Sequence, residues 1–248
     1  MPSRRKNSRR SSTTSPEASP RYPSERCERK ACVKSSFPLS NELLVEVVHA
    51  IVTRASSKKI DRVMLLLSIV DIFSGVKDFS SRRLLKMHVI SQNRGYDVAS
   101  NIFISPEPKR KRFGQYDFVE GEVLEYLTLG EKRSLARTKE RDVLNRLLYD
   151  PHPLVVRNVL ENPRLTEHDV IKIVSKRPNH EQALRTIYLN DKWLSSYQVK
   201  LALSKNPYTP VNIALGLLFF LKIQDLAEIA RDRTIHEVIK KTARGLLP

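Results

Sequence analysis

The stretch DPHPLVVRNVLENPRLT, residues 150–166, decides the fold. Pro153 has no amide hydrogen to leave unpaired and a φ already set for a helix, so it suits a first helical turn. Val155, Val156, Val159 and Leu160 then recur at i, i+1, i+4 and i+5, which draws one apolar stripe along a helix. Asn162-Pro163 ends it, because Asn tolerates the left-handed conformation that closes a helix and Pro forbids its continuation. Thr166 with Asp169 opens the next helix, whose apolar face is Val170, Ile171 and Val174. Pieces this short are marginal alone and must stack on neighbours.

The same punctuation extends on both sides. Upstream, Thr128 and Glu131 have the spacing of a capping box, and Thr138 precedes a helix with Val143, Leu144, Leu147 and Leu148 on one face. Downstream, Val199-Lys200 leads to Asn206-Pro207 as Val156-Arg157 leads to Asn162-Pro163, 43 to 44 residues earlier, and Thr209-Pro210 opens another helix. A helix pair repeating at that interval predicts an all-α fold with a short α-solenoid of HEAT or armadillo type over residues 128–248. The last helix, with Ile235, Val238, Ile239, Ala243 and Leu246 inward and Lys240, Lys241 and Arg244 outward, would close the stack.

Three segments, residues 127–137 (LTLGEKRSLAR), 150–166 and 201–210 (LALSKNPYTP), resemble a group of bacterial helical-repeat proteins of HEAT-like and leucine-rich-repeat-variant style. The resemblance covers roughly residues 110–248. It implies a repeat fold and brings no catalytic residues, because the group has no assigned activity.

The rest of the chain reads differently. Residues 1–36 hold nine Ser, four Pro and ten Lys or Arg against three acids, too polar to offset the entropy of ordering, and read as a disordered basic tail. Residues 37–104 read as a small, mostly helical region. Its first helix carries Leu43, Leu44, Val47, Val48, Ile51 and Val52 behind Ser40 or Asn41, and Ile60–Phe73 is apolar on most sides, a helix by its length or else a strand. After Gly75 the pattern decays to a Gly95-Tyr96 turn and an extended Ile102-Phe103-Ile104. Pro106, Pro108, the run Lys109-Arg110-Lys111-Arg112 and the aromatic residues Phe113, Tyr116 and Phe118 mark 105–127 as a linker.

Composition limits the function classes. Gly is only 7 of 248 residues, which argues against glycine-rich phosphate loops and turn-dense all-β folds. Cys27 and Cys32 lie in the polar tail, and the six histidines are scattered, so neither a metal site nor a disulfide framework is expected, and no cofactor is implied. No apolar run approaches the ~18 residues of a membrane span, and no secretory signal is recognisable, so a cytoplasmic protein is expected.

Charge is the strongest functional signal. The chain carries +17, with +8 on residues 129–248 alone (21 bases, 13 acids). Lys109, Arg110, Lys111 and Arg112 beside aromatic residues, Lys172, Lys176 and Arg177, and Lys240, Lys241 and Arg244 are candidates for polyanion contact. Asp150 with Arg157 and Asp191 with Lys200 recur together and are candidates for an ion-pair ladder between repeats. Glu167-His168-Asp169 is explained by capping in a first helical turn. Trp193 near Asp191 raises a DNA glycosylase of HEAT-like form as a minor alternative. The leading expectation is a non-enzymatic protein-binding scaffold; a nucleic-acid-binding accessory protein is the alternative.

Overall fold

A computed structural model describes residues 40–55, 70, 81–110, 124, 126–150 and 152–248. The 1–36 tail with Cys27 and Cys32, most of the 60–73 stretch, and Lys111, Arg112, Phe113, Tyr116 and Phe118 lie outside them. Among the described residues there are thirteen helices and no strand, so the fold is all-α. They are α1 (Asn41–Ala55), α2 (Ser81–Asn93), α3 (Asp97–Phe103), α4 (Leu129–Leu135), α5 (Arg141–Leu147), α6 (Pro153–Leu160), α7 (Glu167–Ser175), α8 (Glu181–Tyr188), α9 (Asp191–Leu194), α10 (Tyr197–Lys205), α11 (Val211–Leu218), α12 (Ile223–Arg231) and α13 (Glu237–Gly245).

Local chemistry explains most of the helix starts. Ser40 Oγ accepts the Leu43 amide at 3.3 Å. Thr128 with Glu131, and Thr166 with Asp169, form complete capping boxes, and Pro153 occupies the first turn of α6. Each such cap contributes about 1 kcal/mol. Three starts, that of α6 again among them, share a device the sequence pattern did not flag: His152, His180 and His236 each accept the amide two residues ahead on ring Nδ1, at 3.2 Å. They cap α6, α8 and α13 and stand 28 and then 56 residues apart.

Helix starts recur at shorter intervals than the 43 to 44 residues that separate the two Asn-Pro motifs. Helices α4, α6, α8, α11 and α13 form one set, starting 24 to 30 residues apart; α5, α7, α10 and α12 form a second, starting 26 to 30 residues apart. Within the first set α4 packs on α6, α6 on α8, and α11 on α13; within the second, α7 packs on α10 and α10 on α12. Asn162-Pro163 ends a helix of the first set and Asn206-Pro207 one of the second. The two motifs matched because they do the same job, not because they are one repeat apart.

The job is stapling. Asn162 Nδ2 donates to the Ala136 and Thr138 carbonyls at 2.8 and 2.9 Å, where α4 ends, while its Oδ1 accepts the Arg164 amide at 2.9 Å. Asn206 repeats this, donating to the Val174 and Lys176 carbonyls where α7 ends and accepting the Tyr208 amide. Each buried amide thus satisfies orphan carbonyls of the preceding helix of its own set.

Two stretches upstream depart from expectation. Ser81–Asn93 is a helix, although Arg82, Arg83 and Lys86 had masked it; Arg83 Nε bonds Asn41 Oδ1 at 3.0 Å and Met87 is buried. Ile102-Phe103 completes α3 rather than a strand, buried where α3 packs on α1, α2 and α11. The Gly95 turn is present, at φ +73, a left-handed conformation that glycine adopts without strain. One apolar cluster runs from Leu44 to Phe219 and a second fills α11–α13; α11, buried all round, contributes Ile213 and Leu217 to the first and Leu215 and Leu218 to the second.

Candidate anion-binding edge

A helix ends with unpartnered carbonyls and a partial negative charge, so cations gather there. The basic residues of this chain do so repeatedly. Lys176 Nζ donates to the Tyr149 carbonyl just beyond α5 and lies 5.9 Å from that ring's centroid. Arg177 donates to the Lys205 carbonyl at the end of α10, at 2.9 Å. Arg244 reaches the Ala230 carbonyl near the end of α12, at 3.3 Å. Lys109 crosses from the 105–110 segment to the carbonyls of Arg233 and Ile235, the latter at 3.3 Å.

The Lys109 and Arg244 contacts meet at the α12–α13 pair, where a pocket of about 470 Å³ opens, and the Arg177 charge reaches Asp232 beside it; Lys176 stays at the end of α5. Arg231 and Arg233 line it from the end of α12, Lys240 and Arg244 from successive turns of α13. Lys240 is nearly buried and pairs with Glu237 at 2.5 Å, while the Glu237 side chain is 72% exposed.

Three neighbours register the resulting field. The hydrogen bond from Lys240 holds the Glu237 carboxyl below its ordinary value against a small opposing effect of burial, and the charges of Lys240, Lys109 and Arg244 lower it further. Burial pushes the Asp232 carboxyl up, but the Thr234 amide and hydroxyl, with the Arg177 and Lys109 charges, bring it below its ordinary value. Burial and then the Lys109 charge push the His236 imidazole down, against a smaller pull from Glu237.

The structure therefore brings Lys109, Arg177, Lys240 and Arg244 to one place and adds Arg231 and Arg233, which sequence reasoning missed. Their signal was faint: in Arg231-Asp232-Arg233 the alternating sign reads as a solvated loop. Arg110 follows Lys109, its amide 3.4 Å from the Pro207 carbonyl. Lys172 is half-buried on α7, away from the pocket lining, and Lys241 turns to Asp97 of α3 at 2.6 Å.

The ladder candidates divide. Asp150 does join neighbouring units, but through Lys132 of α4 at 2.9 Å, both groups nearly buried, while its other oxygen accepts the His152 amide at 2.8 Å. Arg157 lies 3.7 Å from Glu161 on its own helix. Lys200, on a helix of the other set, donates to the Ser195 carbonyl at 3.1 Å and lies 5.2 Å from the Phe220 ring centroid; burial lowers its ammonium pKa. Asp191 begins α9 and is exposed.

The connections between second-set helices use residues that were not ladder candidates. Arg141 bonds the fully buried Asp169 at 2.6 Å. Burial pushes that carboxyl up, and hydrogen bonds from Arg141 and Thr166, with the Arg141 charge, more than reverse it and hold it well below the usual range. Glu167 accepts from Ser196, Tyr197 donates to Asp225, and Lys205 pairs with Glu228 at 2.7 Å. Asp169 is thus a cap and a tie. Trp193 is buried, its indole N–H given to the Leu160 carbonyl at 3.0 Å, which fits a packing role.

Among the described residues no three His, Cys, Asp or Glu side chains gather as a metal-binding group, and no helix is long and apolar enough to cross a membrane. Comparison of the chain with protein-family models, curated proteins and solved structures finds no match in any of the three.

Proposed function

We propose that the chain is a non-enzymatic α-solenoid scaffold that docks a nucleic acid along its cationic edge. One observation carries this reading: Lys109, Arg177, Arg231, Arg233, Lys240 and Arg244, drawn from distant parts of the sequence, meet around the α12–α13 pair. Backbone phosphates are the polyanion such a cluster suits, since lysine supplies a point charge and arginine a planar fork of donors. A cytoplasmic placement accords with this reading.

The test is a salt titration of full-chain binding to a duplex and to a single strand. Neutralising five phosphates gives a slope of log affinity against log salt of about −4.5 on duplex and about −3.5 on single strand. Reversing the charge of Arg177, Arg231 and Arg233 together should flatten that slope. Binding that ignores both salt and charge reversal would refute the reading.

A protein partner is the second reading. It draws support from Leu43 and Val47 on α1 and Leu85 and Val89 on α2, apolar pairs one turn apart that stand exposed. Partner capture that survives ~0.5 M salt would favour it, because exposed charges are largely screened there.

A further inference from the structure

We infer that the α12–α13 pocket takes a phosphate monoester, supplied by the 5′-terminal phosphate of a nucleic-acid strand; this rests on the docking reading above. An internal phosphodiester carries one negative charge and is flanked by sugars on both sides. A terminal monoester approaches two charges near neutral pH and offers three acceptor oxygens. Arg231, Arg233, Lys240 and Arg244 line the pocket, more cationic capacity than a single diester needs.

Three of the four are guanidinium groups, whose forked donors match phosphate oxygens in pairs. Their existing bonds leave that capacity open. Arg244 uses the Ala230 carbonyl and retains other donors of its five. Carbonyls at the end of α12 are already engaged: the Asp232 amide donates to those of Glu228 and Ile229 at 3.1 and 3.2 Å. The helix end therefore presents few bare carbonyl lone pairs to an anion, and its remaining half charge is outweighed by the four lining cations.

Among the described residues, Glu237 is the one acid ion-paired with a lining cation. Its exposed side chain swings to solvent as the phosphate enters, passing Lys240 from one anion to the other. The volume of about 470 Å³ exceeds a lone phosphate and falls in the range of small-molecule sites, leaving room for the attached sugar. Ala227, Ala230 and Leu247 provide an apolar surface against which that sugar rests.

The experiment uses the full chain and one fluorescent oligonucleotide prepared with a 5′-phosphate or a 5′-hydroxyl, compared by polarisation at ~0.1 M salt. One charge-assisted fork gives about a tenfold preference for the phosphorylated end. Arg231→Gln and Arg244→Gln should each collapse that ratio, with thermal unfolding confirming the fold of each variant; Lys240→Gln is the third variant if either arginine change unfolds the chain. Equal affinity for both ends, or a ratio that survives in the folded variants, overturns the inference while leaving edge docking intact. A phosphoserine peptide that competes more strongly than the phosphorylated strand also overturns it. If neither oligonucleotide binds, the docking reading falls. A free nucleoside 5′-monophosphate then decides the pocket: saturable binding lost in Arg244→Gln keeps the monoester site, and no binding removes it.

Discussion

Truncating Asn162 to alanine removes a staple between neighbouring units and leaves every apolar contact of α6 in place. Three hydrogen bonds disappear: two donated to Ala136 and Thr138 carbonyls at 2.8 and 2.9 Å, and one accepted from the Arg164 amide at 2.9 Å. At about 1 kcal/mol net per bond the loss is about 3 kcal/mol, and more if the freed Ala136 carbonyl stays dry. With a urea slope of ~2.5 kcal/mol per molar for a chain of this size, the midpoint should fall by about 1.2 M without a change of slope. Asn162→Asp should cost more, because it keeps the acceptor for Arg164 but turns an anion toward two carbonyls. Asn145→Ala, inside α5 and outside the staple, should stay within ~0.5 kcal/mol. Urea unfolding followed by far-UV circular dichroism and by Trp193 fluorescence measures all three. Indistinguishable midpoints for Asn162→Ala and Asn145→Ala would refute the stapling argument.

Two further outcomes follow from buried or capping charges. Lys132→Met strands the nearly buried Asp150 carboxylate and should destabilise by about 3 kcal/mol, whereas Lys132→Met with Asp150→Asn keeps the acceptor for the His152 amide and should recover most of that; simple additivity in a double-mutant cycle would count against the pair. His236 caps α13 only while its Nδ1 is unprotonated, and its folded pKa is pushed below 6.5 by burial and by Lys109. The unfolded chain then binds the extra proton first, so the stability from this group is complete above pH ~6.5 and is lost as pH falls through that value toward the depressed one. Comparing the unfolding midpoint at pH 7.5 and 5.5 with that of His236→Asn, a cap that does not titrate, should show a smaller pH effect in the variant; an equal effect removes His236 from the account.

The all-α fold was legible because its punctuation is local. Thr128 and Thr166 act on amides three residues ahead and Pro153 acts through its own ring, so reading them needs no tertiary knowledge. The period was misread because Asn-Pro marks ends in both helix sets and α9 lengthens one unit, sliding the phase of any single-motif comparison. The histidine caps carry the shorter spacing, but a lone histidine before a helix has too many other uses to stand out. Helix α2 escaped because its buried stripe is narrow, with Met87 and Ser91 its fully buried members, and α3 escaped because a short apolar run is ambiguous until packing on α1, α2 and α11 decides it. At the candidate site, individual cations were visible in the sequence; their meeting was not, since Lys109 and Arg233 are joined only by the fold.

A cation bound to a carbonyl is satisfied as a donor without being neutralised as a charge. A helix end offers only about half an elementary negative charge, confined to its last turn. Around α12–α13, Lys109, Arg177, Arg231, Arg233, Lys240 and Arg244 face that half charge together with Asp232 and Glu237, leaving roughly +3.5. The helix-capping account of the basic residues and the polyanion account are therefore not rivals: carbonyl bonds fix where Lys109, Arg177 and Arg244 stand, and the uncancelled remainder is the field a phosphate meets. In Arg177→Gln the amide ends about where Arg177 Nε stands, short of the terminal nitrogen that bonds the Lys205 carbonyl, so one positive charge and one exposed hydrogen bond are removed together. Stability within ~1 kcal/mol of the parent chain with a salt slope shallower by about 1 is the expected pair of results. Loss of stability with an unchanged slope would mean that Arg177 serves the helix end alone.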